Sequence, residues 1–133
     1  MISERGGSGV GNVIVSRAMG PRIVQTTISG YATEALSVTA LREFTAIIAA
    51  MDRPVWVSDS SALTGYDRAS IKYGGRWFTE FRRRGGKRVV VVSQGGMAMM
   101  AARAMSLGFG VSLDHAPTLA EALERAQRAV AES

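Results

Sequence analysis

The stretch that decides the fold is Val55-Trp56-Val57-Ser58-Asp59-Ser60-Ser61-Ala62-Leu63-Thr64-Gly65-Tyr66-Asp67. Its first three residues are apolar, the next four are polar, and Thr64-Gly65-Tyr66-Asp67 leads into a helix-like pattern. This spacing predicts a buried strand over 55–58, a polar loop after it, and a helix N-terminus near Asp67. In open α/β sheets, ligands and partners meet the protein at the carboxyl ends of strands. The loop from Asp59 to Asp67 is therefore the first candidate site.

On the N-terminal side of this stretch, Asp52-Arg53-Pro54 stops a helix, because proline disfavours helical geometry in the residue before it and cannot extend the ladder. That helix covers 34–51, with Leu41, Phe44, Ile48 and Met51 recurring at three and four and Thr33 as its N-cap. Before it, β-branched runs over 13–15 and 23–28, separated by Met19-Gly20-Pro21 and ended by Gly30, predict an antiparallel hairpin.

On the C-terminal side, Asp67 caps a helix to about Arg84, with Ile71, Trp77 or Phe78, and Phe81 on its buried side. Gly74-Gly75 interrupts that helix, while Arg82-Arg83-Arg84 and Gly85 end it. Val89-Val90-Val91-Val92 is apolar on both faces, as a covered central strand requires. A turn over 93–96, a third helix over 97–107 ended by Gly108, and a short strand over 111–113 follow. Thr118 with Glu121 then forms a capping box for a last helix striped by Leu119, Leu123, Ala126 and Val130.

The expected fold is α/β: one mixed sheet in the order ββαβαβαβα, with helices packed on it and the strands joined through helices running parallel. Residues 1–9, rich in Gly and Ser, form a flexible N-terminal tail, and 10–133 form one domain. With 133 residues and 47% hydrophobic content, the chain has enough material for a core without metal or disulfide. The absence of cysteine excludes a thiol nucleophile and a disulfide framework. The first residues lack the unbroken apolar stretch of a secretory signal, and no run approaches the roughly 20 residues of a membrane span. The expected location is the cytoplasm, with no membrane span. A net charge of +5 favours acidic partners without choosing among them.

The strand order, the 55–67 stretch, the 89–92 strand and the turn Leu107-Gly108-Phe109-Gly110-Val111 together resemble the STAS-like domains. These are the sulphate-transporter and anti-sigma-factor antagonist modules and the related small bacterial STAS/SEC14-like proteins. In antagonist members, a strand like 55–58 leads to an Asp-Ser-Ser/Thr-Gly motif at a helix start, whose first serine is phosphorylated by a partner kinase. Here Asp59-Ser60-Ser61 lies earlier than that site, directly after the strand, and Gly65 falls where the acceptor would stand. The resemblance implies a non-enzymatic regulatory or binding module. Its SEC14-like branch implies an apolar or lipid-like ligand.

Each candidate competes with a plainer reading. Asp59, Ser60, Ser61, Thr64, Gly65, Tyr66 and Asp67 form either a partner-binding or phosphoacceptor loop, or a turn held by Asx and Ser side chains. Arg82, Arg83, Arg84, Lys87 and Arg88 form a basic patch beside Trp77, Phe78 and Phe81. The aromatics fall at helical spacing and belong to the core, which argues against nucleic acid as partner. Trp77, Met97 and Met100 suggest an adaptable ligand or partner surface, since methionine fits irregular shapes. Ser93-Gln94-Gly95-Gly96 lacks the spacing of a nucleotide-binding loop. The single histidine, His115, excludes a two-histidine metal site, and nothing in the spacing of Asp59, Asp114 and His115 supports a triad. No cofactor and no metal site are expected. The reading is a module, not an enzyme, that binds another protein, with a homodimer through the hairpin edge or the Asp67 helix as a further arrangement. The alternative is a carrier or sensor of a small apolar ligand near Trp77, for which an enclosed apolar pocket is the discriminating feature.

Overall fold

A computed structural model describes residues 11–93, 108 and 110–133. The elements are β1 (Val13–Ala18), β2 (Ile23–Ala32), α1 (Glu34–Ile48), β3 (Val55–Tyr66), α2 (Arg68–Arg83), β4 (Arg88–Val92), β5 (Ser112–Ala116) and α3 (Leu119–Glu132). The expected tail over 1–9, the third helix over 97–107 with Met97 and Met100, and most of the 93–96 turn lie outside the described residues.

Five strands form one sheet in the order β1-β2-β3-β4-β5. β1 pairs antiparallel with β2, and the other three pairs are parallel, as a hairpin followed by crossovers requires. Side chains alternate across the sheet and split its core in two. On one face, Val24, Trp56, Val89 and Val91 pack against Phe44 and Ile48 of α1 and Trp77, Phe78 and Phe81 of α2. On the other, Val55, Val57, Val90 and Val92 pack against Ala122 and Ala126 of α3. The small alanines let α3 approach the sheet, and Leu119, Leu123 and Val130 close the sides. Phe44 stands 4.7 Å from both the Trp56 and Trp77 ring centroids. Trp56 Nε1 donates to the Thr26 hydroxyl at 3.0 Å, so its polar atom is partnered where it is buried.

The starts of α1 and α3 and the end of α2 follow their sequence signals, whereas α1 stops at Ile48, short of the expected Met51. Thr33 Oγ1 accepts from Leu36 N, and Thr118 Oγ1 accepts from Glu121 N. The Glu121 carboxylate pairs with Arg125. At the end of α2, Gly85 is left-handed with φ 86°. Its amide donates to Arg82 O and the Gly86 amide donates to Phe81 O, the paired bonds of a Schellman stop.

Four further expectations are corrected. β2 does not end at Gly30 but continues through it, at φ 75°, to Ala32. The predicted polar loop after Ser58 is strand, because the longer β2 offers Ser29, Gly30, Tyr31 and Ala32 as partners to Ala62, Leu63, Gly65 and Tyr66. Local hydroxyl chemistry yields here to pairing, and β3 absorbs the mismatch by gaining one residue on β2 twice, between Asp59 and Ala62 and between Leu63 and Gly65. α2 runs unbroken through Gly74-Gly75, and Ile71, placed on its buried side by periodicity, is 47% exposed.

Candidate functional site at the carboxyl end of β3

β4 pairs with β3 only over residues 55–59, so the second half of β3 projects beyond it and is held by β2 alone among the described strands. At the first widening, Asp59 Oδ1 accepts from Ser61 N at 3.1 Å and from Ser61 Oγ at 2.7 Å. The Asx turn expected of these residues thus exists, set inside a strand. Ser60 is buried and its hydroxyl donates to Val92 O at 3.4 Å, whereas Ser61 and Thr64 are exposed. Gly65 faces Tyr31 across the pair, and a Cβ there would lie 3.1 Å from the Tyr31 ring. The glycine is required by that close approach.

Asp67 sits at the N-cap of α2 but makes no side-chain bond to that helix. Its Oδ2 instead accepts from Glu34 N at 2.9 Å, at the start of α1. Asp67 N and Ser70 Oγ both donate to Ala32 O, so the two strand-to-helix junctions are tied together. Hydrogen bonding to Asp67, then burial, then the carboxylate's charge hold the Tyr31 phenol above its ordinary range. Two helix N-termini meet here, and a carboxylate already occupies the place that favours negative charge.

Beneath α2 lies a cavity of about 240 Å³. Trp56, Trp77, Phe78, Val89 and Val91 line its inner part, and Leu63, Tyr66, Ile71 and Tyr73 line its outer part. Its origin is the alternation of β3. Trp56, Ser58 and Ser60 point to the same face, and the two serines leave unfilled the volume that larger side chains would occupy. Reading Ser60 as a loop hydroxyl missed this; its period-two spacing from Trp56 and Ser58 was the available signal. Tyr31 and Tyr73 also escaped the sequence reading.

The other candidates disperse. Arg84 donates to Met51 O at 2.7 and 3.1 Å, Arg82 donates to Gly86 O, and Arg83 pairs with Glu80 at 3.2 Å. These arginines of the basic patch finish α2 and fasten it to the end of α1, while Lys87 and Arg88 are exposed at the start of β4. His115 lies in β5 with Nε2 3.2 Å from Ser93 O, and Asp114 pairs with Arg125 at 3.0 Å. The Glu121 and Asp114 carboxylates raise the Arg125 pKa, by hydrogen bonding to Glu121 first. Among the described residues, no three His, Cys, Asp or Glu side chains form a group able to hold a metal ion, and no helix is long and apolar enough to cross a membrane.

The chain superposes on an uncharacterised Shewanella loihica protein with a SpoIIAA-like fold at TM-score 0.71, covering 91% of this chain and 99% of that one at 16% identity. The fold is SpoIIAA-like. It also matches the anti-sigma factor antagonist SpoIIAA in its unphosphorylated form, at TM-score 0.67 and 13% identity over 86% of this chain and 98% of that one. An anti-sigma factor antagonist from Mycobacterium paratuberculosis matches at TM-score 0.60 and 19% identity, over 86% and 93%. No protein-family model and no curated protein sequence matches the chain. The SpoIIAA-like fold agrees with the STAS-like architecture expected from strand order, and at these identities the likeness speaks to fold alone.

Proposed function

We propose that this chain is a non-enzymatic regulatory module that binds another protein through the projecting half of β3 and the first turns of α2. The observation that carries this reading is the placement of exposed apolar side chains. Of the five large ones among the described residues, Tyr66 and Ile71 both line the pocket beneath α2, and Tyr31, paired with Gly65, stands at the same carboxyl end on the other face of the sheet. Tyrosines on a rigid frame are frequent anchors of protein interfaces, and Asp67 supplies the frame by joining both helix starts. Two of the similar structures are anti-sigma factor antagonists, which supports a regulatory role for the same fold here. In this reading Ser61 and Thr64 are the hydroxyls accessible to a kinase, whereas Ser60 is shielded. The test is affinity capture from the source cell with wild type and with Tyr66→Ala/Ile71→Glu. A protein retained by wild type and lost by the double variant supports the surface; equal retention by both sinks it.

The second reading, a carrier or sensor of a small apolar ligand, draws support from the apolar pocket beneath α2, although that pocket is open to solvent rather than enclosed. Its apolar lining and volume of about 240 Å³ are of the size that takes a small apolar molecule. Native mass spectrometry of gently purified protein tests it: a retained organic mass supports this reading, and the bare polypeptide mass counts against it.

A further inference from the structure

The chain's charge is unevenly placed. Residues 68–88 hold eight of its sixteen Lys and Arg but one of its eleven Asp and Glu, so the remainder, with eight cations against ten acids, is slightly acidic. Most of the surplus belongs to α2. Arg68, Lys72, Arg76 and Arg83 follow one another at four, four and seven residues, which puts them on one side of the helix, and all four are exposed. At 1.5 Å per residue the row runs about 22 Å. Lys72 pairs with Glu34 at 3.6 Å, and Arg83 with Glu80, the helix's one acid, at 3.2 Å. Arg68 and Arg76 form no ion pair among the described residues; Arg76 Cζ stands 5.2 Å from the centroid of the Tyr73 ring. Pairs between exposed side chains are worth little, so an incoming carboxylate competes with them readily. The row is electropositive and uncovered.

Tyr66 and Ile71, both exposed, adjoin Arg68 and Lys72 where this row begins. We infer that the protein partner of the surface lays an acidic helix along α2, with carboxylates one turn apart opposite Arg68, Lys72 and Arg76 and an apolar side chain against Tyr66 and Ile71. Spacing favours a helix, because residues four apart rise about 6 Å in either partner and the two sets of charges stay in register. The aromatic side chains that would stack on bases, Trp77, Phe78 and Phe81, are buried, which leaves nucleic acid with phosphate contacts alone. A bilayer takes up a helix through a broad apolar face, and Ile71 is the one large exposed apolar residue of α2. This inference rests on the protein-binding reading and adds the chemistry of the partner.

The experiment places p-benzoylphenylalanine at Thr79, exposed between Arg76 and Arg83, in the source cell, and maps the crosslinked partner segment by mass spectrometry. It is repeated in Arg68→Glu/Arg76→Glu and, with the same change of charge off the row, in Lys87→Glu/Arg88→Glu. Circular dichroism confirms that both variants are folded. The same crosslinker at position 66 reports whether any protein binds the surface. The expected result is a crosslink from 79 to a segment with Asp and Glu at helical spacing, its yield about tenfold lower in Arg68→Glu/Arg76→Glu and unchanged in the other variant. A protein crosslinked from 66 overturns the acidic helix, and leaves the protein-binding reading standing, if 79 captures nothing, captures a segment without excess acid, or gives equal yield in both variants. A lipid or nucleic-acid adduct at 79 overturns the acidic helix as well. No crosslink from either position overturns both.

Discussion

Replacing Ser60 with leucine tests whether the space beneath α2 is real. Ser60 is buried, shares a face with Trp56 and Ser58, and lines the cavity. Leucine adds about three carbon groups in place of the hydroxyl, worth about 2.4 kcal/mol at roughly 0.8 kcal/mol per buried group. Against this stand the long 3.4 Å bond to Val92 O, worth about 0.5–1 kcal/mol, and extra side-chain ordering of about 0.5 kcal/mol. The net is a stabilisation of about 1 kcal/mol, or a rise in Tm of about 3–5 °C. Urea and thermal unfolding followed by tryptophan fluorescence measure it. Val57→Leu is the control, because Val57 is fully buried on the opposite, filled face, where overpacking costs about 1–3 kcal/mol. If Ser60→Leu destabilises as much as Val57→Leu, the region is close-packed and the cavity reasoning fails.

Asp67→Ala removes the carboxylate that accepts from Glu34 N; a loss of about 1–2 kcal/mol is expected in urea unfolding, and a change below 0.5 kcal/mol would show that water replaces it at no cost. The Tyr31 phenol is held above its ordinary 10.0, so its neutral form is favoured in the folded state. Its contribution is complete below pH 10.0 and fades as pH rises through the higher folded value. Tyr31→Phe should therefore be less stable than wild type at neutral pH, with the gap closing in strong alkali; a gap that widens with pH contradicts this. At Gly86 a Cβ would overlap the Phe81 ring, so Gly86→Ala should cost about 1–3 kcal/mol in thermal unfolding, whereas a neutral result would mean that Phe81 moves freely.

Much of the fold was legible because periodicity and stop signals agreed. Phe44 and Ile48 at helical spacing, Pro54 after α1, Gly85 after α2, the Val89 to Val92 run and the Thr118 cap each point to one element, and each element is present. The failure was local to β3. Asp59, Ser60 and Ser61 have strong turn chemistry, and only the partner strand, running on through Gly30 to Ala32, converts them to a ladder. A non-local pairing of this kind leaves no trace in a short window. The same misreading hid the cavity, since Ser60 in a loop has no face, whereas Ser60 alternating with Asp59 in a strand joins Ser58 in placing two small side chains beneath α2. Ile71 shows the reverse case: its spacing is correct for a buried stripe, but the sheet face opposite it is hollow rather than filled. Asp67 was correctly placed at a helix start, yet it bonds the neighbouring helix.

The most direct test of the proposed binding surface is site-specific photo-crosslinking in the source cell, with p-benzoylphenylalanine at Tyr66 or, as control, at Arg128 on the exposed side of α3. The account predicts a discrete crosslinked protein species from position 66 and none from position 128. Crosslinking from 128 with none from 66 would place the partner on the opposite side of the sheet and contradict it.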